Sequence, residues 1–141
     1  MKTRTRQQGI ALVEVLVAVV ILAIGLLGTI GLQARAYSAL NDASLRGEAT
    51  IATEKLIGIM SVDQANLAEY AIAAGDDEPS AQLADWYGET KAALPVSTIE
   101  VAVNPVSGAD RSEVVITIGW QRKATDAANS HRVVTYISQS K

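Results

Sequence analysis

From Ile10 to Leu32 the chain reads IALVEVLVAVVILAIGLLGTIGL, roughly 23 residues in which Glu14 is the only charge. At about 1.5 Å per residue, a helix of that length crosses a hydrocarbon core of roughly 30 Å. Lys2, Arg4 and Arg6 precede the run and only Arg35 follows closely. The positive-inside bias therefore puts Met1 in the cytoplasm and the remaining chain across the membrane. A charge within a span costs up to about 2.5 to 3.5 kcal/mol at its centre and less toward the interface, so Glu14 calls for a partner. The rest of the 141 residues has room for one domain.

The formal net charge of −3 hides an asymmetry. Taking the three leading bases from the chain's 12 leaves nine against 15 acids, a net of −6 for the remainder. A nucleic-acid surface would show grouped Lys and Arg, so no nucleic-acid partner is expected. There is no cysteine, and the folded part must be held by its core, without disulfide or thiolate metal site.

An ordinary secretory signal also begins with a basic region, but its apolar core is about 7 to 15 residues and ends at a small-residue cleavage site. Here the run is longer and passes into Gln33-Ala34-Arg35 without an A-x-A site. An uncleaved anchor survives that test, yet neither reading explains Glu14. The segment MKTRTRQQG followed by IALVEVLVAVVILAIGLLGTIGLQ resembles the class III signal peptide of type IV pilins and pseudopilins. It has a short basic leader, Gly9, a hydrophobic residue, and a glutamate at the fifth place after the glycine. The resemblance implies cleavage between Gly9 and Ile10 by a prepilin peptidase and methylation of the new Ile10 amine.

That cut would create a cation where none existed. Within one helix Ile10 and Glu14 lie one turn apart, and a carboxylate near a helix N-terminus is favoured by the macrodipole. In filaments of the family, the glutamate is thought to meet the amine of a neighbouring subunit instead, where an unpaired buried charge is costly. Both pairings are open to the sequence. Ile10 stands where most members have Phe, and Ala11 replaces a common Thr or Ser. Gly25, Gly28 and Gly31 recur every three residues, offering small faces for close helix approach. By analogy with pilins whose first helix loosens during polymerisation, they are candidates for helix flexibility or packing.

After Gln33 the pattern becomes amphipathic without a break, and a helix to about Met60 is expected. Tyr37, Leu40, Ser44, Gly47 and Ile51 read as one stripe and Leu45, Ala49, Ala52, Leu56 and Met60 as a neighbouring one, both expected to face the globular core. Asn66 to Ala74 reads as a short helix, Gly75 to Pro79 as a loop, and Ser80 to Ala93 as a second helix capped by Ser80 and ended by Pro95. Leu83, Trp86, Tyr87 and Leu94 give that helix an apolar face. Asp76, Asp77 and Glu78 match no EF-hand spacing and read as a solvated turn.

From Thr98 the period becomes two. Ile99, Val101 and Val103, then Val114, Ile116, Ile118 and Trp120, then Val133, Thr135 and Ile137 mark three strands, an antiparallel meander. Asn104-Pro105 and Ser107-Gly108 punctuate the first connection, and Gln121 to His131 form the second. The expected fold class is α+β: a long N-terminal α-helix, half transmembrane and half amphipathic, packed on a small antiparallel β-sheet of about three strands. Residues 1–9 would be the leader, 10–33 the transmembrane and assembly helix, and 34–141 a periplasmic domain including the second half of the helix.

LADWYGETKAALP, followed by a strand, a turn and EVVITIGWQ, resembles minor pilins of the type IV pilus modification protein PilV kind. Many of those carry cysteines that this chain lacks, so no family disulfide carries over. The resemblance implies a structural subunit of the pilus, or of its initiating complex, with no cofactor. Its partners would be the prepilin peptidase, other major and minor pilins, the inner-membrane assembly platform and, before assembly, membrane lipid. Rival readings are a minor pseudopilin of a type II secretion system and a membrane-anchored periplasmic binding module. An enzyme is not expected: His131 is the only histidine, no phosphate-binding glycine loop follows a strand, and no carboxylate pair is marked by spacing.

Overall fold

The computed structural model describes residues 7–123, 125 and 127–138, with side chains from Ile10 onward. Helix α1 (Gln7–Val62) is followed by a short 3-10 helix (Gln64–Tyr70) kinked at Asn66, helix α2 (Ala84–Ala93), and strands β1 (Thr98–Pro105), β2 (Arg111–Trp120) and β3 (Asn129–Ser138). The chain divides into two compact units, residues 1–42 and 43–141. In the first, the described residues, from Gln7 on, are helix. The second holds the rest of α1, α2 and the sheet.

No proline precedes Pro79, so nothing in the sequence interrupts the backbone ladder of α1. It ends at Val62 because Asp63 leaves helical geometry (φ −111, ψ 50). The Asp63 carboxylate instead accepts hydrogen bonds from Asn66 Nδ2 and Tyr70 Oη, each at 2.8 Å. A short carboxylate holding nearby donors competes with helix continuation in this way.

The sheet is an antiparallel meander in the order β1-β2-β3, as the period-two pattern predicts. Pairing is unbroken: Thr98 to Pro105 oppose Gly119 to Ser112, and Arg111 to Trp120 oppose Ser138 to Asn129. The inward residues Ile99, Val101, Val114, Ile116, Ile118 and Trp120 join Ala49, Leu56 and Met60 of α1 and Leu83, Trp86 and Leu94 around α2 in one buried cluster. Alternation supplies the sheet face and the 3.6-residue repeat supplies the helix face. Trp86 is an anchor, as its apolar neighbours suggest: it is buried, and its Nε1 donates to the Ala52 carbonyl of α1 at 2.8 Å. The buried hydroxyls of Thr53 and Thr90 donate to the carbonyls of Ala49 and Trp86, each at 2.8 Å.

Four local expectations are corrected. Tyr37, Leu40 and Ile51 are exposed, and of the two helix stripes only the one through Ala49, Leu56 and Met60 reaches the core. At roughly 100° per residue, positions 40, 47 and 51 fall on the side of the helix opposite 49, 56 and 60, so one sheet cannot cover both. The helix expected over Asn66 to Ala74 ends at Tyr70, because Ile72 is claimed by the sheet: its N–H donates to the Val101 carbonyl (3.0 Å) and its carbonyl accepts from the Val101 N–H (2.9 Å). Helix α2 begins at Ala84 rather than Ser80. The Ser80 hydroxyl donates to the Glu69 carbonyl and, as the expected cap would, accepts from Leu83 N–H at 3.3 Å, but the Ser80 carbonyl shares that N–H at 3.1 Å, so Ser80 to Leu83 form a turn before the first helical bond, Tyr87 N–H to Leu83 carbonyl at 2.8 Å. Finally, His131 lies within β3, opposite Ile118, and not in a loop.

Candidate processing and assembly site

The residues with the strongest motif character sit at the start of α1. Gly9 and Ile10 are consecutive within the helix, so the bond proposed for cleavage lies in helical backbone. Ile10 and Glu14 are four residues apart and both exposed, which places them one turn apart on a common face. In the uncut chain the Ile10 nitrogen is a peptide nitrogen and carries no charge. Among the described residues no basic side chain is paired with Glu14. What the geometry offers is a carboxylate one turn from a position that cleavage would convert into an amine.

Behind this pair the helix is apolar on every face, and the most hydrophobic stretch has none of its residues buried within the chain. Ile10, Leu12, Val13, Leu16 and their successors through Leu32 are all exposed. Exposed apolar surface on this scale marks a surface that lipid or protein covers. Gly25, Gly28 and Gly31 lie in unbroken helix, and a Cβ at any of them would meet nothing within 4 Å. Their space is open to an approaching helix. Thr29 satisfies its hydroxyl by donating to the Leu26 carbonyl at 2.8 Å, as hydroxyls in apolar helices do.

The acidic loop is exposed, as a solvated turn would be, and it is also tied down at one residue. Asp77 Oδ1 accepts from Lys91 Nζ at 3.0 Å and from Tyr87 Oη at 2.8 Å, so the loop is tied to α2. The Lys91 and Tyr87 donors hold the Asp77 carboxyl below the usual carboxylate range, and the Asp77 contact raises Lys91 above the ordinary lysine value. Lys91 also donates to the Ser97 carbonyl at 2.9 Å. The i to i+4 spacing of Tyr87 and Lys91 was the one sequence signal for this cluster. Among the described residues no group of His, Cys, Asp or Glu is arranged to hold a metal ion.

Residues 4–30 match the model of the prokaryotic N-terminal methylation motif. No curated protein and no solved structure matches the chain. The matched segment carries Gly9, Ile10 and Glu14 and leads into the exposed apolar helix, an arrangement whose family members are structural subunits rather than enzymes. Together, the methylation motif and the α+β fold support a type IV pilin-like protein with a class III signal peptide.

Proposed function

We propose that the protein is a minor type IV pilin: an inner-membrane precursor with Met1 in the cytoplasm, cut after Gly9 by prepilin peptidase, methylated on the Ile10 amine, and then built into a pilus or its initiating complex. The observation that carries this reading is the methylation motif lying directly on a helix whose apolar surface the chain itself leaves uncovered. Transfer of that surface from lipid to packing among equivalent helices would hold the subunit. Glu14 would select the stagger by pairing with an Ile10 amine, since a carboxylate in apolar surroundings is stable only when paired. The open glycine positions Gly25, Gly28 and Gly31 would let neighbouring helices come close.

The test is mass spectrometry of the mature N-terminus from membrane and sheared-filament fractions. The expected peptide begins at N-methylated Ile10 and is present in filaments. A chain that still starts at Met1, or is cut after Leu32, would overturn the reading in favour of an anchored periplasmic module.

A further inference from the structure

Among the described residues, Val96 is the one other than glycine with a positive φ, at 45°. For a β-branched side chain that backbone conformation is strained. Burial of the side chain does not offset the strain, since Val96 is 53% exposed between buried Leu94 and buried Ser97. The cause lies in how α2 meets the sheet. The register pairs Thr98 with Gly119, so an unbroken ladder would set Val96 opposite Gln121. Val101 turns its N–H and carbonyl away from β2 to Ile72, and by alternation Val96 in such a ladder would turn its own carbonyl toward β2. The Gln121 N–H instead donates to the Pro95 carbonyl at 3.3 Å, one residue further back. Val96 is therefore an extra residue in the ladder, a bulge of the kind that places glycine in the left-handed region. Here a valine holds that place.

Something must keep the bulge from closing. Lys91 Nζ donates to the Ser97 carbonyl at 2.9 Å, which clasps the last turn of α2 to the residue just beyond Val96. The same ammonium donates to Asp77 Oδ1 at 3.0 Å and lies 5.4 Å from the centre of the Tyr87 ring. Held from the acidic loop and from α2, it has little freedom to follow the chain. The turn carries a second cost. Ser97 Oγ and Trp120 Nε1, both buried, have no hydrogen-bond partner among the described residues. Buried groups left unpaired oppose the arrangement that leaves them so.

From these features we infer that the turn between α2 and β1 has two registers and that Lys91 is the positioning residue that selects one. With the clasp in place, Val96 stands out of the ladder. Without it the bulge closes, Gln121 pairs with Val96, and β1 grows toward α2. The acidic loop loses its tie at the same moment, because one ammonium serves both contacts. Loop and sheet are thereby coupled through a single side chain.

The test is NMR of the full-length chain in detergent micelles, with labelled valine and glutamine. The Val96 Cα and Cβ shifts report left-handed or extended backbone, and the Gln121 amide shift reports its acceptor. In the unaltered chain Val96 should give left-handed shifts. Lys91→Met keeps an unbranched apolar stem and removes the donor; it should turn the Val96 shifts extended and displace the Gln121 amide. Adding Val96→Gly to Lys91→Met should return that amide to its original position, because glycine holds the left-handed backbone without a clasp. A general loss of packing would not be repaired by that glycine. In a Lys91→Met chain whose Trp86 and Trp120 indole signals show it folded, left-handed Val96 shifts, or a Gln121 amide that Val96→Gly fails to return, would overturn the proposal. Val96→Gly alone covers the case in which Lys91→Met does not fold. Its Gln121 amide should exchange with solvent roughly tenfold more slowly, since strain no longer favours opening, and an unchanged rate would equally overturn the two-register turn.

Discussion

Asp77 shows how a single residue couples loop to helix and makes stability depend on pH. Its carboxyl titrates below the usual range because Lys91 and Tyr87 stabilise the charged form. A depressed folded-state value means the contribution is present at neutral pH and lost as pH falls below the ordinary carboxylate value and through the lowered one. Lys91, raised by the same contact, loses its share only as pH climbs past the ordinary lysine value and through the raised one. Asp77→Asn should therefore lower stability slightly at neutral pH and weaken its fall in acid, read as a smaller Tm decrease between neutral and strongly acidic buffer. At Gly119 a Cβ would lie 2.5 Å from Thr98 Oγ1. Gly119→Ala should cost about 1 to 3 kcal/mol by overpacking, and adding Thr98→Ala should recover most of it in urea denaturation. Glu14→Ala should leave membrane insertion intact and reduce recovery in sheared filaments. Undiminished recovery would remove the charge-pairing role.

At the scale of elements, the helix shows what pattern reading resolves and where it stops. The span, the length of α1, the three strands and their meander were all legible, because composition and period-two alternation act locally. The face of α1 that meets the sheet was half legible. Both stripes contain apolar residues, and only the position of the sheet decides that Leu56 is buried and Ile51 is not. Ile72 and Ser80 were not legible, since each obeys a partner distant in sequence: Val101 in one case and Glu69 in the other. At the candidate site, the spacing of Gly9, Ile10 and Glu14 was readable as motif, while the Asp77 cluster needed the fold to bring loop and helix together. The stripe assignment has a sharp test. Leu56→Ala should destabilise by about 2 to 5 kcal/mol through loss of buried contacts and a residual cavity. Ile51→Ala should stay within about 0.5 kcal/mol, because an exposed site loses little burial and alanine favours helix. Equal costs in denaturant titration would show that both faces are covered.

For the molecule as a whole, division of labour along the chain is the organising fact. Among the described residues, every member of the buried cluster lies between Ala49 and Ile137, and none comes from the apolar segment before Gln33. Among the described residues, the segment before Gln33 thus contributes nothing to the buried cluster, and its apolar side chains are exposed. Such a separation would suit the proposed pilin, since a change in what covers residues 10–33 would alter no contact of the buried cluster. It also predicts independence. A chain of residues 34–141 should be soluble without detergent and unfold in a single cooperative thermal transition, with a near-ultraviolet dichroism signal from buried Trp86 and Trp120. Aggregation of that chain, or a broad transition with the aromatic signal lost, would mean that the segment before Gln33 supports the domain, and that passage from membrane to filament must alter the folded part as well.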